Sequence, residues 1–172
     1  MLVRVLSLAV LASCLSATPT AQKPSPDGRI EIDGSKNPEM IPQWTSWEYA
    51  FRVIHGGSGE LPTNVHLVAN PTERELILAE AAANARRDQA CTKRIEREIR
   101  PLLGKEKLDV IKARQQDIHV ECRWQTLHAR DRLLEKLRPE VQTELVHFVE
   151  DTRAGTTLSM PAEELPLYRQ PQ

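Results

Sequence analysis

Apolar residues recur every three or four positions through most of residues 42–155, and this periodicity limits what the chain can fold into. The spacing is typical of amphipathic helices and differs from the strict alternation of half-buried strands. Prolines and glycines divide the periodic region into four segments, at residues 42–55, 71–100, 105–137 and 139–153. The sequence therefore predicts an all-α domain, a small bundle of about four helices.

Capping signals mark where these helices begin and end. Pro42 and Pro139 suit the first turn of a helix, where the missing N–H is not needed. Thr72 followed by Glu75 fits a capping box at the start of the second helix. Pro101 predicts the end of that helix, since proline cannot donate to the preceding turn.

The segments around the four helices are rich in proline and glycine. Residues 22–41 are predicted to form a flexible leader, in which residues 29–32 make at most a brief extended stretch. Residues 58–69 are predicted to form a loop, and residues 156–172 a mobile tail.

Residues 1–21 have the organisation of an export signal, with a short basic start and a largely apolar region of nine residues at 5–13. That apolar run is too short to span a bilayer, which needs about 20 residues. Residues 11–14 (LASC) resemble a bacterial lipobox, which implies lipidation at Cys14; ordinary cleavage within residues 16–22 is the alternative. Both interpretations predict an exported protein, periplasmic or secreted, and a lipid anchor if Cys14 is modified.

The charge balance and the missing motifs exclude several function classes. Without residues 1–21 the chain has 22 basic and 24 acidic side chains, a net charge of about −2. A nearly balanced chain does not predict nucleic-acid binding, which needs concentrated positive charge. The sequence also contains no phosphate-binding loop, G-x-S-x-G, H-E-x-x-H or C-x-x-C motif. It therefore predicts a non-enzymatic protein without a cofactor and without a transmembrane span.

Aromatic residues are concentrated in the first predicted helix. Trp44, Trp47 and Phe51 are three and four positions apart, which places them on one helix face. Tryptophan is enriched at the energetic centres of interfaces. These three residues are the predicted contact surface for a protein or peptide partner in the cell envelope; the alternative is that they belong to the core.

A metal-binding or metal-responsive periplasmic protein is the alternative function. His119 and Cys122 share a helix face, as do Glu144 and His147, and all four are residue types that bind zinc or copper. The competing interpretations are a buried cysteine that behaves as a small apolar residue and a solvated face on the last helix.

Cys91 and Cys122 are the two cysteines that follow the export signal. An oxidising compartment favours a disulfide between them. If the second and third helices form a hairpin that turns near residue 102, Cys122 lies eight residues, about 12 Å, beyond the position opposite Cys91. A disulfide requires Cα atoms within about 7 Å, so pairing needs a shifted or kinked hairpin. The pairing stays open at this point.

Two resemblances rest on short motifs. DGSKNPEMIPQW at residues 33–44, with WEYAF at 47–51 and the L-x-P-E helix start at 137–140, resembles a pattern in uncharacterised exported bacterial proteins. The size and helical pattern are also similar, more distantly, to periplasmic stress proteins of the Spy and CpxP type. Those carry L-T-x-x-Q where this chain has L-x-x-E, at 103–106 and 137–140. The second resemblance implies a chaperone-like binding role in the cell envelope.

Overall fold

The computed structural model describes residue 26 and residues 28–57 and 60–161. These residues form α-helices with two short strands, so the all-α prediction is confirmed. In chain order the elements are β1 Arg29–Asp33, α1 Gln43–Gly56, α2 Thr63–Val68, α3 Pro71–Ile99, α4 Leu108–Leu134, α5 Pro139–Ala154 and β2 Thr157–Pro161. Short 3-10 turns precede α1, at Pro38–Met40, and follow α3, at Arg100–Leu102.

Two predictions fall outside the described residues. The export signal at residues 1–21, with Cys14, is one, and the last eleven residues of the predicted tail are the other. In the part of the chain that the structure does describe, every helix is too short or too polar to cross a membrane.

The start of α3 is a capping box two residues earlier than predicted. Asn70 is the N-cap, and its side-chain oxygen accepts a hydrogen bond from the Glu73 N–H at 3.0 Å. The Glu73 carboxylate in turn accepts one from the Asn70 N–H at 2.9 Å. The prediction at Thr72 and Glu75 was wrong because Pro71 already occupies the first helical position, which moves the cap to the residue before it.

Helix α2 lies within the segment that was predicted to be a loop. It has six residues, and Val65 is its buried side chain. A helix of this length spans less than two turns, so it shows no periodic pattern that the sequence alone could reveal.

The main core is formed by α1, α2, α5, the first part of α3 and the last part of α4. We call this region the base and assign it residues 43–90 and 123–154. Fourteen buried apolar side chains form its core: Trp47, Ala50, Phe51, Ile54, Leu61, Val65, Ala69, Ile77, Ala81, Leu133, Leu137, Val141, Leu145 and Val149.

An ion pair between the buried Glu73 and the half-exposed Arg138 joins the N-terminal ends of α3 and α5 in the base. The Glu73 carboxylate accepts hydrogen bonds from the backbone N–H of Arg138 at 3.0 Å and from its guanidinium Nη2 at 2.9 Å. Arg138 also donates to the Val68 carbonyl oxygen at 2.7 Å. The hydrogen bonds from the Arg138 side chain have the largest effect on the pKa of Glu73, and the bond from the Arg138 backbone has the next largest. Together they lower this pKa to about 2.

The middle of the chain, residues 91–122, forms an antiparallel two-helix hairpin that we call the arm. Helix α3 has 29 residues and α1 has 14, so at 1.5 Å per residue α3 is about twice as long and must extend beyond it. The arm has its own small core, in which Ile99, Ile111 and Ile118 are buried.

Cys91 and Cys122 form a disulfide at the root of the arm, with their Cα atoms 6.3 Å apart. The expected offset of about 12 Å came from placing the hairpin turn near residue 102. Instead, the 3-10 turn Arg100–Leu102 continues α3 past Pro101, and α4 begins only at Leu108. The hairpin is therefore centred between residues 106 and 107, midway between the two cysteines.

Strands β1 and β2 pair as an antiparallel two-stranded sheet, with Arg29 opposite Pro161 and Asp33 opposite Thr157. The sequence predicted neither this pairing nor a strand in the tail. Ile30, Ile32, Ile41 and Met160 bury their side chains together on this sheet, which gives it an apolar cluster separate from the base core.

Gly34 fixes the segment between β1 and α1 against the end of α5. Its N–H donates to the Thr156 carbonyl oxygen at 2.8 Å. A Cβ atom at this position would lie 2.2 Å from the Arg153 carbonyl oxygen, so any other residue would push the two backbones apart. The proline-rich run at residues 33–44 is thus a docking segment of the fold.

Candidate functional site

A groove of about 280 Å³ lies where the base meets the arm, between α1, α3 and α4. Four of its eleven lining residues are charged, and one is a tryptophan. Its lining residues are Trp44, Glu48, Arg52, Asp88, Cys91, Thr92, Ile95, His119, Cys122, Arg123 and Thr126. This groove is the candidate site.

Helix α1 supplies one wall of the groove through Trp44, Glu48 and Arg52. These residues are four positions apart, so they lie along one face of the helix. The apolar stripe that includes Trp47 and Phe51 lies beside this face and points into the base core. Trp44 lies at the border between this face and the apolar stripe, which explains why its spacing grouped it with the core aromatics.

The structure corrects the predicted partner surface. Trp47 is 5% exposed and Phe51 is fully buried, and their rings are 5.6 Å apart within the base core. Neither residue can offer surface to a partner, because the spacing that groups them is that of a core stripe. Trp44 alone of the three lines the groove, where it is half-buried.

Two arginines organise the charges in the groove. Arg52 donates to the Glu48 carboxylate at 2.7 Å and to the Asp88 carboxylate at 3.3 Å, so it bridges α1 and α3. The Arg123 guanidinium lies 4.2 Å from the centre of the Trp44 ring, in cation–π geometry. The Trp44 ring is therefore held between α1 and α4.

Glu48 is the groove residue with the clearest electrostatic perturbation. Burial raises the pKa of Glu48 above its usual value, and the charge of Asp88 adds to the rise. The positive charges of Arg52 and Arg123 act in the opposite direction but do not cancel it. An additional cation near Glu48 would therefore stabilise its ionised form.

A buried polar pair lies beneath Asp88. Asn84 is fully buried, accepts a hydrogen bond from the Thr126 hydroxyl at 3.3 Å and donates to Asp88 at 3.5 Å. This pair could not be predicted from local sequence patterns, since Asn84 and Thr126 lie 42 positions apart. Their contact holds the Asp88 side chain towards the groove.

The four predicted metal ligands do not form one site. His119 and Cys122 border the groove, but the Cys122 sulfur belongs to the disulfide and offers no thiolate. Glu144 and His147 border a different depression, of about 200 Å³, between α2 and α5. Among the residues that the structure describes, no three histidine, cysteine, aspartate or glutamate side chains are placed to hold a metal ion.

Comparisons with known proteins give no family assignment. No protein-family model, no curated protein and no solved structure matches this chain.

Proposed function

We propose that the protein is an exported, non-enzymatic binding protein of the cell envelope, which holds a protein or peptide partner in the groove between base and arm. The observation that carries this proposal is the half-buried Trp44 beside two carboxylates that share one arginine. A chaperone-like role is the form of this function that the resemblance to Spy and CpxP proteins favours.

The disulfide supports the location. Structural disulfides persist in oxidising compartments such as the periplasm and are rare in the cytosol. The Cys91–Cys122 bond therefore agrees with the export signal predicted at residues 1–21. Lipidation at Cys14 would keep the protein at a membrane surface, and mass spectrometry of the mature N-terminus tests it.

The charges of the groove suggest what the partner carries. Glu48 and Asp88 share Arg52, and the positive charge of Arg123 also acts on Glu48. The two carboxylates are close enough for the charge of Asp88 to raise the pKa of Glu48, so a lysine or arginine of the partner beside them would be attracted to both. Trp44 offers an adjacent ring for an apolar or aromatic side chain. A segment with a basic residue next to an aromatic one fits both features.

The test measures binding of fluorescent peptides that pair a basic with an aromatic residue, against matched acidic peptides. Trp44→Ala and Glu48→Gln should each weaken binding of the basic peptides about tenfold, since each removes a main contact. Trp124→Ala is the matched control, because Trp124 is exposed on α4 outside the groove. Circular dichroism should show equal helicity in all variants.

Two results would reject the proposal. One is binding that Trp44→Ala and Trp124→Ala reduce equally, since this would place the contact outside the groove. The other is equal affinity for basic and acidic peptides. Affinity capture from envelope extract, with the wild type and Trp44→Ala as paired baits, then identifies the natural partner.

A further inference from the structure

The outer part of the arm, residues 93–114, has a charge that the balanced composition of the chain conceals. Residues 93–114 carry eight basic and four acidic side chains, a net charge of +4. The other 150 residues carry 15 basic and 20 acidic side chains, a net charge of −5. The molecule is therefore polarised, with its positive charge concentrated towards the end of the arm.

The end of the arm also exposes apolar side chains. Leu103 is 60% exposed in the turn, and Leu108 and Val110 are 66% and 46% exposed in the first turn of α4. Viewed along the helix axis, Ile111 lies between Leu108 and Val110 and points inward to the arm core. Solvent-facing leucines at the end of a hairpin contribute nothing to the arm core, so a binding role explains them better.

Basic side chains surround this apolar end. Lys105 and Lys107 lie in the connection between Leu103 and Leu108, and both are exposed. Arg97 and Arg100 border a shallow depression on the α3 side, just behind the turn. Apolar residues thus occupy the end of the arm, with two lysines and the exposed acidic residues Glu106 and Asp109 among them and further cations directly behind.

We propose that the end of the arm docks on a bilayer that contains anionic lipids. Leu103, Leu108 and Val110 enter the boundary of the acyl chains, and Lys105 and Lys107 contact the headgroups. This interaction goes beyond the proposed partner binding and uses none of the groove residues.

The arrangement selects a lipid surface over other occupants. A bilayer presents negative charge at its surface and apolar material beneath it, which matches cations placed around and behind a protruding apolar end. An acidic protein would match the lysines but not the protruding leucines. A second copy of the arm would bring two regions of like charge together, which is unfavourable.

The experiment is vesicle co-sedimentation of the full mature protein, produced without lipidation. Vesicles of phosphatidylglycerol mixed with phosphatidylcholine should bind the protein at low salt, and vesicles of phosphatidylcholine alone should not. Raised salt should weaken the binding, because it screens the attraction between lysines and headgroups.

Two variants separate the contributions. Lys105→Glu with Lys107→Glu should weaken vesicle binding at least about tenfold, since each basic residue near an anionic surface contributes substantially. Leu103→Ser with Leu108→Ser and Val110→Ser should also weaken it at least about tenfold, because the inserted apolar area is lost.

Matched controls carry the same kinds of change in the base. Arg86→Glu with Lys136→Glu alters the net charge equally at exposed positions, and Val53→Ser with Leu67→Ser removes exposed apolar side chains. Both controls should bind vesicles like the wild type. Equal melting temperatures would show that the four variants fold.

Several outcomes would overturn the proposal. One is the absence of binding to anionic vesicles at low salt. Another is a loss of vesicle binding that the base controls share. A loss confined to the lysine variant would mean attraction to headgroups without insertion, and would equally reject the docked end. Retention of soluble polyglutamate without vesicle binding would point to an acidic protein instead.

Discussion

The base and the arm are built from the same two long helices but are stabilised differently. In the base, α3 and α4 contribute to a core of fourteen buried apolar residues that three further helices cover. In the arm the same helices have only each other, and three isoleucines form the buried core. Two helices cannot enclose a large apolar volume, so the arm depends on a covalent link to a degree that the base does not.

Each region also has a glutamate held by arginine, with its pKa lowered to about 2. Glu73 in the base is bound by Arg138, and Glu98 in the arm is bound by Arg94 and Arg114. The side chain of Glu73 is 5% exposed and that of Glu98 is 23% exposed. The arginine partners show the opposite order, since the side chain of Arg138 is 52% exposed and that of Arg94 is 28% exposed, so solvent and salt reach both pairs.

The largest effect is expected from opening the base core. Phe51→Ala should lower the free energy of unfolding by about 4 kcal/mol, since it removes a fully buried aromatic side chain. Urea denaturation measures the change. Val53→Ala, at an exposed position of the same helix, should change it by no more than about 0.5 kcal/mol. A loss below about 1 kcal/mol for Phe51→Ala would contradict its place in the core.

Removal of the disulfide should act on the arm alone. Cys91→Ala with Cys122→Ala opens a link across a sequence separation of 31 residues, which should cost the arm roughly 3–4 kcal/mol. Hydrogen exchange should show lost protection in residues 91–122 and retained protection in α1 and α5. Equal loss of protection in both regions would mean that base and arm unfold as one unit.

A smaller substitution within the arm core also tests whether the arm unfolds separately from the base, and it leaves the disulfide intact. Ile118→Val should destabilise the arm by about 1 kcal/mol, because one buried methylene is lost. Val120→Ala, at a largely exposed position two residues away, should have almost no effect. Hydrogen exchange that changes in the base instead would contradict the independence of the arm core.

The smallest effects are expected in the dependence of stability on acidic pH. Because the pKa values of Glu73 and Glu98 are lower in the fold than the usual 4.5, their stabilisation is complete above pH 4.5 and is lost as the pH falls towards 2. Glu73→Gln and Glu98→Gln should each flatten this pH dependence. At high salt both effects should shrink, because each pair has an exposed arginine. A variant whose pH dependence matches that of the wild type would contradict the ion pair of that glutamate.

Local signals were sufficient for most of the helices. Pro71 and Pro139 are both the first residue of a helix, and the four long helices lie close to their predicted positions. Pro101 correctly indicated the end of the α-helix, since α3 ends at Ile99, but the 3-10 turn Arg100–Leu102 that follows places the hairpin turn beyond residue 102. That difference of about four residues in the hairpin centre decides whether Cys91 and Cys122 meet.

The remaining features depend on contacts between distant parts of the chain. Strand β1 carries a weak extended pattern, and only its pairing with β2, about 130 residues away, makes it a strand. Only part of the groove could be predicted from the sequence. Helix α1 carries a core stripe and, beside it, the stripe of Trp44, Glu48 and Arg52 that lines the groove. Because the aromatic residues are concentrated in the core stripe, that stripe was predicted to be the contact surface. Asp88 and Arg123 could not be placed there without knowing how α3 and α4 cross α1.

The pairing of Arg29 with Pro161 brings both limits of the helical body to one corner. A tether, tag or fused domain attached at either end would therefore be connected to the helical body at the same corner. The two ends could also be joined by a short linker and the chain reopened at Gly104. In such a circular permutant the two helices of the arm would no longer share a turn, and the disulfide would be their sole covalent connection there.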